Sequence, residues 1–232
     1  MCGGSPAGDV RFVNRRRFLG LATAAAATPL LAPFLLVPAR AATPRDVRFR
    51  ALHKGVPVGE HTVAFRTESE RLTVVTHIDI IIKALFFTAF RFKHDAEEVW
   101  DAGRLVSVKS TTDDDGTLLQ VSGHAAGDGF RILGADGPFL AAAHLLTTNT
   151  LWDSRLVRES RMIDVQYGNE VGLVAKRLGD EQVATPQGTV SAARYQIITP
   201  HYAGSLFYDP DGRWVKGLIE KRGEILEYEL AT

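Results

Sequence analysis

The chain has 232 residues, of which 45% are hydrophobic, 23% charged and 9% aromatic, with 27 basic and 27 acidic side chains in balance. That apolar content excludes intrinsic disorder, and the even charge argues against a nucleic-acid partner. One cysteine and an aperiodic scatter of 21 glycines exclude a disulfide scaffold and a collagen-like repeat.

The first segment reads as an export address. Asn14-Arg15-Arg16-Arg17-Phe18-Leu19-Gly20 resembles the signal read by the twin-arginine (Tat) export machinery. An Ala- and Leu-rich stretch follows from Phe18 to Val37 and ends at Ala39-Arg40-Ala41, an A-x-A site with cleavage expected after Ala41. Pro29 and Pro33 interrupt the stretch, which suits a cleaved signal better than a retained membrane anchor. The expectation is a signal over 1–41 and a periplasmic domain over 42–232, without stable membrane insertion once the signal is removed. Residues 1–41 hold five of the 27 basic side chains (Arg11, Arg15, Arg16, Arg17 and Arg40) and one of the 27 acidic ones (Asp9), so the remainder carries a net charge of −4. Cys2 also falls in this segment, which leaves the domain without a disulfide, a thiolate metal site or a cysteine nucleophile.

From Val47 onward the dominant pattern has period two, broken by turn residues every ~8–12 positions, the mark of antiparallel strands. Val47, Phe49 and Ala51 alternate with Arg48 and Arg50, and Lys54-Gly55-Val56-Pro57 turns the chain. Val63 and Phe65 share one face of the next strand. A long run places Leu72, Val74, Thr76, Ile78, Ile80 and Ile82 on one face, and a second long run extends to Trp100. Asp101-Ala102-Gly103 and Asp113-Asp114-Asp115-Gly116 read as hairpin turns, followed by short strands near Leu118–His124 and Phe130–Leu133. Residues 137–168 break the rhythm. Pro138 suits a first helical turn, and Trp152, Leu156 and Val157 are spaced along one face of a short helix over Asp153–Arg161 capped by Asp153. Period two returns over Glu170–Leu178, Thr189–Thr199, Leu206–Tyr208, Arg213–Ile219 and Glu224–Leu230. The expected fold is mainly β: one strongly curved antiparallel sheet or incomplete barrel of about eleven strands, with a helical insertion packed into or across it.

Several segments carry a family likeness. Phe90-Arg91-Phe92-Lys93-His94, Glu98-Val99-Trp100, Gly103-Arg104-Leu105-Val106-Ser107 and Ser110-Thr111-Thr112-Asp113-Asp114-Asp115-Gly116 resemble an exported bacterial family, domain-of-unknown-function family 6134. Gly55-Val56-Pro57-Val58-Gly59 and Tyr208-Asp209-Pro210-Asp211-Gly212-Arg213-Trp214 fit the same pattern, so the resemblance covers most of 46–230. It departs at Leu151-Trp152, where the family pattern has an aromatic before the Trp. The resemblance implies no activity and transfers no catalytic residue. More distantly, the hairpin order is similar to that of periplasmic half-barrel proteins that hold lipids, a likeness of fold alone.

The face Phe90, Phe92, His94, Ala96, Glu98, Trp100 combines rigid aromatics with two ionisable groups, a composition that suits a ligand pocket. Trp152 joins it as a pocket candidate from the insertion. His94 and Glu98 stand about 13 Å apart along one strand, too far for a directly paired acid and base. His53, His61, His77 and His94 fall on four successive strands, and with Glu60, Asp79 or Glu98 they suit a metal-assisted enzyme, although no compact ligand motif is present. No nucleophile elbow, P-loop or dinucleotide fingerprint occurs, so no cofactor is expected. Ala141-Ala142-Ala143-His144-Leu145-Leu146 is apolar enough to fill or cover a curved sheet. The leading expectation is a binding module for a hydrophobic or amphipathic ligand. The alternatives are the metal-assisted enzyme and an envelope interaction protein that pairs through an exposed edge strand.

Overall fold

The computed structural model describes residues 44–84 and 87–231, so the expected signal over 1–41 lies outside the described residues. The strands in chain order are β1 (Val47–His53), β2 (Val56–Glu68), β3 (Arg71–Ala84), β4 (Phe87–Asp101), β5 (Arg104–Asp114), β6 (Thr117–Ala126), β7 (Gly129–Gly134) and β8 (Gly137–Ala142). Then come β9 (Arg161–Asp164), β10 (Asn169–Gly172), β11 (Val174–Thr185), β12 (Gly188–Ile198), β13 (Ala203–Tyr208), β14 (Trp214–Lys221) and β15 (Glu224–Leu230). Thirteen of them form one open antiparallel sheet in the order β11-β12-β13-β14-β15-β1-β2-β3-β4-β5-β6-β7-β8, and β9 and β10 pair separately.

The expected architecture is right in class and low in strand count. Three features account for the difference. Gly137–Ala142, inside the expected helical insertion over about 137–168, form β8 instead. Pro138 pairs there with Leu133 on an edge strand, where its missing N–H costs no ladder bond. The run Glu170–Leu178 divides at Leu173 into β10 and β11. Met162–Asp164, left out of the strand pattern, lies in β9. The expected helix over Asp153–Arg161 is replaced by two 3₁₀ turns, Thr150–Trp152 and Ser154–Arg158, although the Asp153 side chain does accept from the Arg155 N–H as a cap would. A helix that short has little stability of its own, and pairing of Arg161–Asp164 with β10 ends it.

The sheet is wide because the first strand sits in its middle. β1 pairs with β2 on one side and with β15 on the other, with Phe49 opposite both His61 and Leu230. Register shifts at Ala51/Leu52, Ile82/Lys83, Val99/Trp100 and Phe207/Tyr208 are bulges that bend and twist the strands. The sheet therefore curls into a trough. Its lining follows the alternation read from sequence: Phe49 and Ala51, Val63, Val74 and Ile80, Trp100, Ile132, Leu206 and Tyr208 are all buried.

β8 and β11 are opposite edges, so residues 143–173 must cross between them. They cross inside the trough. Leu145, Leu146, Leu151, Leu156, Met162, Ile163, Val165 and Leu173 belong to the same core cluster as the sheet lining. Polar anchors hold this crossing segment at both sides. Ser110 Oγ donates to the Val165 carbonyl at 2.5 Å, Thr147 Oγ1 donates to Glu98 Oε1 at 2.6 Å, and the Tyr208 hydroxyl donates to the Leu151 carbonyl at 2.8 Å.

Candidate functional site

The crossing segment does not fill the whole trough. Beside the end of β3, the start of β4 and the β14–β15 turn it leaves a cavity of about 300 Å³. Strand register explains how its walls assemble. His61, Ile78 and His94 face one another across β2, β3 and β4, and Gly59, Ile80, Phe92 and Asp114 form the next row. Ile82 opposite Phe90 makes the rim. Ile219 and Leu226, paired across β14 and β15, close the far side with Tyr228. Thr148, Asn149, Leu151, Asp164 and Gln166 of the crossing segment form the roof, next to His201 and Tyr202 of the β12–β13 turn. The sheet contributes the Ile, Phe and Leu surface, and polar groups stand along the roof, at the inner end and at the mouth.

At the inner end, His61 is 2% exposed and neither ring nitrogen has a hydrogen-bond partner. Its ring packs edge-on against Trp214 at 5.2 Å and Tyr228 at 5.4 Å between centroids. Burial, with lesser contributions from the charges of His94 and His77, lowers its pKa to about 3, so the ring is neutral. His94 is also buried but fully bonded. The Asn149 amide nitrogen faces Nε2 at 3.0 Å, so Nδ1 carries the hydrogen and donates to Thr112 Oγ1 at 2.8 Å. Burial brings this pKa down to about 4. The Tyr202 hydroxyl, also at the cavity, is buried without a partner, and burial raises its pKa.

A charged network rings the mouth. Lys221 Nζ and an Arg222 terminal nitrogen both approach Asp114 Oδ2 at 3.2 Å, while Asp114 Oδ1 has no partner. Gln166 Nε2 donates to the same Oδ2 at 2.9 Å and ties the crossing segment to the rim. Lys221 Nζ lies 4.1 Å from the Phe92 ring centroid and the Arg222 guanidinium 5.6 Å from that of Phe90. Burial lowers the Lys221 pKa, and Asp114 opposes the shift. Asp164 accepts from the backbone N–H of Gln166 and Tyr167 and faces His201 Nε2 at 3.5 Å. Burial raises its pKa against those contacts.

Of the six sequence-predicted ligand residues, Phe90, Phe92 and His94 line this cavity and Glu98, Trp100 and Trp152 do not. Glu98 is wholly buried farther along β4, where Thr147 Oγ1 donates to one carboxylate oxygen and Trp100 Nε1 to the other at 3.1 Å. Burial raises its pKa to about 7. Glu98 and Trp100 thus anchor the crossing segment. Trp152 packs edge-on against Phe65 and Trp100 beside a second hollow of about 750 Å³. The four candidate metal histidines do not converge. His53 bonds Glu224 and His77 bonds Asp95, each at 2.6 Å, while His61 and His94 are buried in the trough. Among the described residues, no group of three His, Cys, Asp or Glu is placed to hold a metal ion.

The sequence reading missed the mouth. Asp114, Lys221 and Arg222 read as turn residues; Arg222 is one, whereas Asp114 and Lys221 are the last residues of β5 and β14. Strand parity was the available signal: counting from Ser110 and Thr112 puts Asp114 on the buried face. Nothing local to Asp164, Gln166 or His201 announces that they meet these groups.

The sequence profile of a domain of unknown function, DUF6134, matches residues 49–231. The chain belongs to this family. A search of curated proteins finds no match. Among solved structures, the chain is similar to a β-barrel-like protein of domain of unknown function DUF1849 from Brucella abortus. The TM-score is 0.60 at 8% identity, over 82% of this chain and 96% of that one. The Pseudomonas aeruginosa MucA/MucB complex matches with a TM-score of 0.32 at 15% identity, over 81% of this chain and 50% of that one. The likeness to the Brucella protein establishes the fold of this DUF6134 member and nothing about its chemistry.

Proposed function

We propose that this DUF6134 chain is an exported, non-enzymatic binding module for a hydrophobic or amphipathic small molecule. The observation that carries this reading is the cavity of about 300 Å³ between the sheet and the crossing segment, walled by Ile78, Ile80, Ile82, Phe92, Ile219 and Leu226. That volume lies at the small end of ligand pockets and equals roughly ten waters of liquid, so it suits an apolar body of about ten heavy atoms. The sheet wall is apolar, while the roof, the inner end and the mouth carry polar side chains, a division in which apolar walls supply affinity and polar groups fix orientation. The Tat-like signal supports delivery to the periplasm by the twin-arginine machinery, with cleavage after Ala41.

Titration calorimetry of residues 42–232 with decan-1-ol tests the binding reading. We expect saturable binding, lost in Ile82→Trp, whose larger ring occupies the cavity near its rim. A folded wild-type domain that takes up no decan-1-ol, and that releases no small molecule in native mass spectrometry, would overturn the proposal. Export is tested separately: replacing Arg15, Arg16 and Arg17 by Lys should leave the protein in the cytoplasm.

A further inference from the structure

The cavity has a chemically distinct entrance, and its construction narrows the ligand class. Two cations, Lys221 and Arg222, converge on one oxygen of a single carboxylate, Asp114 Oδ2. They do so above the faces of Phe92 and Phe90, which line the cavity near its rim. Two positive groups share one buried anion. Lys221 meets Asp114 and Gln166 at 3.2 and 3.4 Å, and Arg222 brings one terminal nitrogen to Asp114. Both therefore keep donors for a second acceptor.

We infer, resting on the binding reading above, that the ligand is an amphipath with a singly charged anionic head, seated between Lys221 and Arg222 with its apolar body along Ile82, Ile80 and Phe92. The acidic groups around the mouth define the charge. Glu224 is engaged by His53 and Lys54, and Asp164 by His201 and two backbone N–H groups, so neither forms a direct ion pair with the two cations, although Asp164 stands within electrostatic reach of Lys221. Asp115 is exposed at the β5–β6 turn and lines the rim. With Asp114 and Asp164 nearby, it makes a second negative charge on the head unfavourable by like-charge repulsion. A carboxylate fits this field better than a phosphate monoester. The guanidinium fork and the ammonium also match two carboxylate oxygens geometrically.

The test compares four probes of equal chain length on residues 42–232 at pH 7: decanoate, decan-1-ol, decyl phosphate and decyltrimethylammonium. Calorimetry is expected to show decanoate bound at least ~10-fold more tightly than decan-1-ol, one charge-assisted contact's worth. Decyl phosphate should fall below decanoate and the cationic probe below decan-1-ol. In Lys221→Met, and in Arg222→Asn, which tolerates the left-handed φ of 55° at that turn, the ratio of decanoate to decan-1-ol affinity should fall several-fold. Taken within each variant, that ratio cancels any change in the cavity that both probes share. Raising salt should narrow the decanoate advantage in the wild type without any substitution. Equal or better binding of decan-1-ol, or a decanoate preference untouched in both variants, overturns the anionic head while leaving the cavity reading intact. A decyl phosphate preference overturns the single charge. Binding of none of the four overturns the cavity reading and this inference together.

Discussion

Glu98 shows how a residue chosen correctly for burial can be assigned the wrong task by pattern alone. The alternation along β4 places it on the lined face beside His94, and it is 1% exposed. What pattern does not reveal is Thr147, 49 residues away, whose hydroxyl donates to it. The buried carboxyl titrates at about 7 against 4.5 for the unperturbed group. A folded-state pKa raised in this way gives stability that is fully present below pH 4.5 and is lost as pH rises through 7, because the folded protein holds the proton that the unfolded chain releases. The span corresponds to a loss on the order of 3 kcal/mol. Glu98→Gln mimics the protonated form. Its amide donates to Thr147 and its carbonyl accepts from Trp100. Denaturant titration should find the variant close to wild type at pH 4.5 and more stable than it at pH 8. Equal stability at both pH values would show that Glu98 is ionised without cost in its site.

The hairpins were legible because each joins an alternating run to a turn that demands particular residues. Asp115 and Gly116 illustrate this, with φ of 56° and 90° in a two-residue loop and the Asp113 side chain accepting from the Gly116 N–H. The crossing segment was illegible because its shape is set from outside. It has no period of its own, and it extends or turns wherever the trough offers a partner. Two glycines make one such contact. The turn after β9 lies so close to the end of β7 that a Cβ on Gly134 would meet the Tyr167 carbonyl oxygen at 2.2 Å, and one on Gly168 would meet Gly134 Cα at 2.5 Å. Gly168 also has a φ of 81°. Gly168→Ala therefore adds left-handed strain to a backbone clash, together roughly 2–4 kcal/mol. Thermal unfolding should show a Tm lowered by about 5–15 °C. A change within a degree would mean that the crossing segment shifts freely at this contact and does not hold the roof of the cavity.

At the scale of the whole molecule, the sequence conveyed a curved antiparallel meander but not the order of its strands. The β1–β15 pairing joins Phe49 to Leu230 across the chain, and no local pattern encodes it. That pairing places both halves of the chain around one trough and brings the β14–β15 turn to the start of β4 and the end of β5. It also concentrates opposed titrations in one core. His61 and His94 have pKa values lowered to about 3 and about 4 from 6.5. Depressed histidines give stability that is present above pH 6.5 and is lost as pH falls through those values, since the unfolded chain takes up protons that the folded one refuses. Glu98 acts in the reverse sense up to about pH 7. Asp164, raised, adds to the Glu98 direction, and Glu224, lowered, adds to that of the histidines. Stability should therefore peak between about pH 6.5 and 7. Below the peak, two protons taken up by the unfolded chain oppose one retained by the fold, so the net slope from pH 6.5 to 4.5 is about 1.4 kcal/mol per pH unit. In Glu98→Gln the opposing proton is gone and the slope over that range should roughly double. Chemical denaturation at half-unit pH intervals measures both curves. A wild type that gains stability steadily down to pH 4.5 would show that His61 and His94 titrate normally, and hence that water reaches the inner end of the trough.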